Sequence, residues 1–150
     1  MHTAYLLLGG NMGNREKMLD RALFELGKTG RIVAVSVKKE TEPWGFETPV
    51  ASFLNQAVCL ETLLDPETLM GKCLEIEERL GRTRKDPGGF SSAVRTYEPR
   101  LIDIDILLYD KLKHQSPRLV IPHPRLRERP FAVELLEEIL PKNLSLEDFY

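Results

Sequence analysis

From Glu98 to Tyr109 the chain reads Glu-Pro-Arg-Leu-Ile-Asp-Ile-Asp-Ile-Leu-Leu-Tyr, and no other stretch constrains the fold as much. Its alternation predicts a β-strand. Ile102, Ile104, Ile106 and Leu108 fall on one face, an apolar set that requires a core. Asp103 and Asp105 share the other face, bracketed by Leu101, Leu107 and Tyr109. Two strand rises separate their α-carbons by about 6.6–6.8 Å. From there both carboxylates can converge on one divalent cation, or on a metal pair roughly 3.5–4 Å apart. Oxygen-only ligands favour Mg²⁺ or Mn²⁺ over Zn²⁺. The plainer reading is a solvated strand face, or two aspartates paired to arginine. If the face is buried, compensation is needed, because an unpaired buried charge costs on the order of several kcal/mol.

Charge along the chain favours the first reading. The whole sequence carries net −2, but residues 79–129 hold twelve Lys/Arg against six Asp/Glu. Nine of the twelve are arginine, among them Arg79, Arg82, Arg84, Arg95, Arg100, Arg125, Arg127 and Arg129, with His123 in their midst. Arginine suits planar, bidentate recognition of phosphate. A charge run alone is usually a solvated face. A carboxylate pair on an apolar strand inside that run suggests a metal bridging to a polyphosphate that arginines clamp from outside.

One hundred and fifty residues with 42% hydrophobic content suit a single domain, 1–150, with a full core. No stretch approaches transmembrane length. The amino terminus has no basic segment followed by a signal-like apolar run, so a cytoplasmic protein is expected. Cys59 and Cys73 lack metal or redox spacing and read as buried thiols in a reducing compartment.

The remaining elements follow from local patterns. Tyr5 to Leu8 reads as a buried strand running into Gly9-Gly10-Asn11. Asn14 can cap a helix with Met18, Leu19, Ala22, Leu23 and Leu26 at helical spacing, ended by Gly27 or Gly30. Ile32 to Lys38 and Phe53 to Leu60 read as strands, with a loop from Glu42 to Ser52 between them. Asp65-Pro66 opens a second helix, whose stripe is Leu69, Met70, Cys73, Ile76 and Leu80, and Gly81 stops it. A long loop, Thr83 to Thr96, precedes the aspartate strand. Arg118 to Ile121 adds a short strand and Phe131 to Leu140 a final helix. The order β-α-β-β-α-β plus a helix predicts an α+β, ferredoxin-like split β-α-β fold: an antiparallel sheet with packed helices and an added C-terminal helix. Fold alone assigns no activity.

Common nucleotide signatures are missing. Gly9 to Gly13 lacks the Lys-Ser/Thr ending of a phosphate loop and is equally well a tight turn feeding a helix. Three scattered histidines offer no zinc spacing. The ordered set as a whole, however, resembles the 6-hydroxymethyl-7,8-dihydropterin pyrophosphokinases of folate biosynthesis. The core of the resemblance is Pro99-Arg100-x-x-Asp103-Ile104-Asp105-Ile106-Leu107. Gly9-x-Asn11, Thr41-x-Pro43, Phe53-Leu54-Asn55, Glu77, Arg82-x-Arg84, Pro122-His123-Pro124-Arg125 and Arg129-x-Phe131 extend it over almost the whole chain.

The resemblance implies transfer of a diphosphoryl group from ATP to the pterin's hydroxymethyl oxygen, with release of AMP. It implies that Asp103 and Asp105 hold two Mg²⁺ ions, that Arg82 and Arg100 stabilise charge during transfer, and that Arg84, His123 and Arg129 grip the nucleotide. Glu77 would face the adenosine or organise hydrogen bonds on the metal side, and the Ile106 backbone would meet adenine. Thr41, Pro43, Trp44, Phe53, Asn55, Tyr97 and Phe131 would form the pterin pocket. Chemically, the aromatic residues offer stacking surfaces, and the Asn55 amide can both donate to and accept from a pterin edge. Taken singly, Phe53 and Phe131 read as core more often than as stacking platforms. The expected partners are small molecules acting on a monomer, with no nucleic acid and no membrane. The chain departs from the family at Thr96-Tyr97-Glu98, where Arg-Trp-Gly is usual, and in a longer 85–95 loop.

Two other classes fit parts of the pattern. A metal-dependent nucleotidyl- or polynucleotide-processing enzyme would need a basic track longer than one triphosphate and exposed stacking aromatics. A small-molecule-binding regulatory module would leave Asp103 and Asp105 without a metal.

Overall fold

In a computed structural model of the protein, the described residues are 1–11, 13–42, 52–81 and 102–150. Five strands make the main sheet: β1 (His2–Gly10), β2 (Arg31–Val35), β3 (Lys39–Thr41), β4 (Phe53–Thr62) and β5 (Asp103–Tyr109). The order across it is β2-β4-β1-β5, with β3 pairing the early part of β4, and every pairing is antiparallel. This is the split β-α-β arrangement expected of a ferredoxin-like fold. Helices α1 (Arg15–Leu26) and α2 (Pro66–Arg79) pack on one face and α3 (Pro130–Ile139) on the other. A small hairpin, β6 (His114–Gln115) with β7 (Val120–Ile121), follows β5.

Local chemistry starts the helices where the sequence predicts. The Asn14 side chain accepts from the Lys17 N–H at 3.0 Å, and the Asp65 side chain from the Thr68 N–H at 2.8 Å with Pro66 in the first turn. Each cap contributes about 1 kcal/mol. α1 then buries Leu19, Ala22 and Leu26, and α2 buries Leu69, Cys73 and Ile76 against Leu6, Leu8, Ile104 and Ile106 of the sheet. On the opposite face Ala132, Leu135 and Leu136 of α3 meet Tyr5, Leu7, Leu107 and Leu108. A leucine buried this way contributes roughly 1.5–3 kcal/mol. Cys59 and Cys73 are free thiols on opposite faces of the sheet, too separated to pair.

The structure corrects the strand alternation at one position. The β1–β5 register shifts between Tyr5 and Leu6, so that Leu6 faces Ile106 while Tyr5 faces Leu108. Leu107 is the extra residue of this bulge. Leu107 and Leu108 therefore both pack on the α3 face, and Tyr109 turns to the side of α1 and α2. Leu108 and Tyr109 thus leave the faces expected for them, whereas Asp103 and Asp105, before the bulge, keep theirs. The strand expected from Ile32 to Lys38 ends at Val35, a further short strand, β3, follows at Lys39–Thr41 where none was expected, and the last short strand starts at Val120 and pairs with His114–Gln115. No helix among the described residues is long and apolar enough to cross a membrane.

Candidate active site

The α3 face of the sheet ends in a cavity of about 410 Å³. Its floor is read directly from the strand register. Lys39 of β3 sits opposite Asn55 of β4, Asn55 opposite Gly9 of β1, and Gly9 opposite Asp103 of β5. One row across the sheet therefore brings an amide and a carboxylate to either side of a residue with no side chain. Thr41 pairs with Phe53 toward the end of that floor, and Leu7 pairs with Asp105 on the other side. The wall is made by Arg125, Glu128, Arg129, Pro130 and Phe131, from the 3₁₀ turn Leu126–Glu128 and the start of α3.

Asn55 is 4% exposed, and its orientation is set by β3. Its Nδ2 donates to Thr41 Oγ1 at 2.8 Å and to the Lys39 carbonyl at 3.2 Å, which uses both amide protons. The carbonyl Oδ1 lies over Gly9, where a Cβ would come within 3.0 Å of it. Of the two capacities expected of this amide, the protein itself occupies the donor. What the cavity receives is an acceptor, with the Thr41 hydroxyl proton beside it.

Asp103 and Asp105 line the same cavity from β5. Asp105 Oδ2 is 3.3 Å from Arg129 Nη1, and its Oδ1 is 3.9 Å from His123 Nε2. The cation that the sequence demanded for a buried carboxylate is thus found 24 residues downstream. His123 is tied to β5 through its backbone N–H, which donates to the Leu107 carbonyl at 2.9 Å. Its Nδ1 accepts from the Arg125 N–H at 3.1 Å, which leaves the proton on Nε2, the nitrogen nearer Asp105. Burial, then the Arg129 and Arg125 cations, pull its pKa down to about 4 against the opposing pull of Asp103. At neutral pH His123 is an uncharged N–H donor, not a cation.

Glu77 is 2% exposed on α2, beneath β5, and its Oε2 accepts from the Ile104 N–H at 2.7 Å. Ile104 lies between the two aspartates, so this bond fixes the strand that carries them. Because peptide groups alternate along a strand, Ile106 turns its own to the same outer side of β5 as Ile104.

The site also contains residues to which sequence reasoning gave no role: Leu7, Glu42, Arg125, Glu128 and Pro130. Glu42 lies between Thr41 and Pro43, while Arg125 and Glu128 sit within the His123–Phe131 run, so adjacency to motif residues was the available signal. Arg82, Arg84, Tyr97 and Arg100, with Pro43 and Trp44, lie outside the described residues. Thr41, Phe53, Asn55, Asp103, Asp105, Arg129 and Phe131 come together on the one cavity.

A cation suits this donor set. Among the described residues no cluster of three His, Cys, Asp or Glu could hold a metal. Mg²⁺ in phosphate chemistry takes one or two carboxylates and draws its other ligands from water and the substrate. Two aspartates on one strand face, opening on a cavity, fit that pattern.

Comparison with known proteins decides the family. Residues 5–141 match the model of 7,8-dihydro-6-hydroxymethylpterin-pyrophosphokinase. The chain belongs to this family. A Porphyromonas gingivalis 2-amino-4-hydroxy-6-hydroxymethyldihydropteridine pyrophosphokinase is 43% identical over 94% of this chain and 92% of its own length. The Bacillus subtilis enzyme of the same name is 38% identical over 91% of this chain and 77% of its own. A Plasmodium falciparum HPPK-DHPS structure superposes with TM-score 0.68 at 16% identity, covering 97% of this chain and 43% of that one. That last likeness is one of fold. The activity of the chain is that of the pyrophosphokinase family, in folate biosynthesis.

Proposed function

We propose that the cavity binds ATP and 6-hydroxymethyl-7,8-dihydropterin side by side and passes the diphosphoryl group of the first to the second. The observation that carries this reading is the single floor row Asn55–Gly9–Asp103, which sets a buried amide and a carboxylate on either side of one glycine. In the reaction the hydroxymethyl oxygen bonds to the β-phosphorus, the bond from that phosphorus to the α,β-bridging oxygen breaks, AMP leaves, and the hydroxyl proton is lost. Asp103 and Asp105 would hold Mg²⁺, two ions being expected. Bound there, the metal neutralises charge on the triphosphate.

The chain's own groups divide the remaining work. Asn55 Oδ1 accepts from an N–H of the pterin edge and the Thr41 hydroxyl donates to a ring acceptor, while Phe53 and Phe131 lie against the ring. Arg129 and the neutral His123 Nε2–H meet phosphate oxygens, and the Ile106 peptide meets adenine. Glu77 holds β5, the strand whose two aspartates would carry the metal. Arg82 and Arg100, with Arg84 on the nucleotide and Pro43, Trp44 and Tyr97 around the pterin, keep the roles that family resemblance implies. The reading takes the enzyme as a cytoplasmic monomer working on small molecules alone; the two buried free thiols favour a reducing compartment.

The test is to mix the protein with ATP, Mg²⁺ and the reduced hydroxymethylpterin and identify the nucleotide product. AMP, formed only with metal present, supports the proposal. ADP, or turnover unaffected by chelation, overturns it.

A further inference from the structure

A polar knot stands behind the pterin side of the cavity, and no catalytic step uses it. Arg15 opens α1, directly after the Asn14 cap. A single guanidinium nitrogen, Nη1, reaches three acceptors: the Ser52 carbonyl at 3.0 Å, Ser52 Oγ at 3.1 Å and Glu40 Oε2 at 3.2 Å. Ser52 Oγ closes the triangle by donating to Glu40 Oε2 at 2.6 Å. The Ser52 hydroxyl first, and Arg15 next, hold the Glu40 carboxyl below its ordinary range. Three segments distant in sequence are thereby tied at one point.

The location of the knot gives it meaning. Glu40 precedes Thr41 and Ser52 precedes Phe53, and Thr41 and Phe53 are the register partners that line the cavity. Side chains alternate along a strand, so Glu40 faces away from the cavity while its neighbour Thr41 faces in. Thr41 is also the hydroxyl that orients Asn55. β3 has only three residues, too few for the ladder alone to fix its position.

We propose that Arg15 is a positioning residue for the pterin: by clasping Glu40 to Ser52 it holds Thr41 and Phe53 at the spacing the ring requires. The proposal rests on the functional reading above. The Arg15 and Glu40 side chains are 29% and 58% exposed, so as an ion pair they add little to folding. Their contribution is geometric, and it is confined to one substrate.

The experiment is calorimetric titration of wild type, Arg15→Met, Ser52→Ala and the double variant with pterin, and separately with a non-hydrolysable ATP analogue, alongside steady-state kinetics. Arg15→Met should raise the pterin Kd about tenfold, the scale of one lost charge-assisted contact. The analogue's Kd and kcat at saturating pterin should stay within about twofold. The double variant should lose little more than Arg15→Met alone, because both changes open the same clasp. Should Arg15→Met fold poorly, Arg15→Gln, which is shorter and carries no charge, makes the same comparison. Unchanged pterin affinity, additive losses, or equal losses for pterin and nucleotide overturn the clasp. A wild-type protein that binds no pterin overturns the functional reading first, and the clasp with it.

Discussion

Gly9 shows how much of the site one missing side chain arranges. Its neighbours on the floor are Asn55 and Asp103, and the amide oxygen of Asn55 crowds the space where a β-carbon would stand. In Gly9→Ala that contact would be 3.0 Å, and the amide would have to shift by a few tenths of an ångström. Because Asn55 Nδ2 is held by Thr41 and Lys39, the displaced group is the oxygen offered to the pterin. Pterin affinity should fall about tenfold, the scale of one spoiled hydrogen bond to a buried partner, with nucleotide affinity held. Fluorescence titration of the two ligands checks this, and a parallel loss for both would point to a damaged sheet instead. Across the same row, Asp103→Ala and Asp105→Ala should each lower turnover by roughly 10²–10³-fold or more in a protein that still folds. Asp105→Ala also frees Arg129 from its partner at 3.3 Å, so the two variants should differ in nucleotide affinity. Near-normal turnover of either at saturating Mg²⁺ would exclude a two-carboxylate metal site.

At the scale of the element, α2 and β5 act as one piece. α2 packs its apolar stripe on β5 and inserts Glu77, a buried carboxylate, to accept the Ile104 N–H. Glu77→Ala would leave that N–H buried without its acceptor, a loss of roughly 1–3 kcal/mol. Glu77→Gln keeps an acceptor oxygen and should lose less. Urea unfolding measures the difference; equal losses would mean that the charge, not the hydrogen bond, is what β5 needs. The bulge in β5 is the other event at this scale. Period-two reading of residues 102–109 assigned Leu108 and Tyr109 to the wrong faces, because alternation carries no information about an extra residue. Only the pairing with β1 reveals it.

Over the whole molecule, α2 also anchors the hairpin that leads to the cavity wall. Glu67 accepts from His114 Nε2 at 2.7 Å, Ser116 Oγ at 2.5 Å and Arg118 Nε at 3.1 Å. The Ser116 hydroxyl first, then His114 and Arg118, bring its pKa from 4.5 down to about 2. A carboxylate depressed on folding adds stability above its unfolded pKa and surrenders it as pH falls through the folded one. The contribution of Glu67 is therefore complete above pH 4.5 and fades between there and about 2. Glu67→Gln should flatten this acid limb in thermal melts, melting below the wild type at neutral pH and converging with it as the pH approaches 2. A mutant melt profile parallel to the wild type from pH 5 to 2 would show that other carboxylates dominate.

The split between what was legible and what was not follows from the range of the interactions. Helix starts at Asn14 and Asp65, the apolar stripes, the aspartate face of β5 and the family motifs depend on residues within a few positions of one another, and local chemistry is written in local sequence. β3, the amide orientation of Asn55, the burial of Glu77 and the Arg15 clasp each depend on a partner 14 or more residues away. The sequence by itself determined which groups the protein possesses and which face of a strand carries them. Tertiary structure alone decided which of their hydrogen bonds and charges the protein uses internally, because a donor's partner is settled by what packing brings within reach of it.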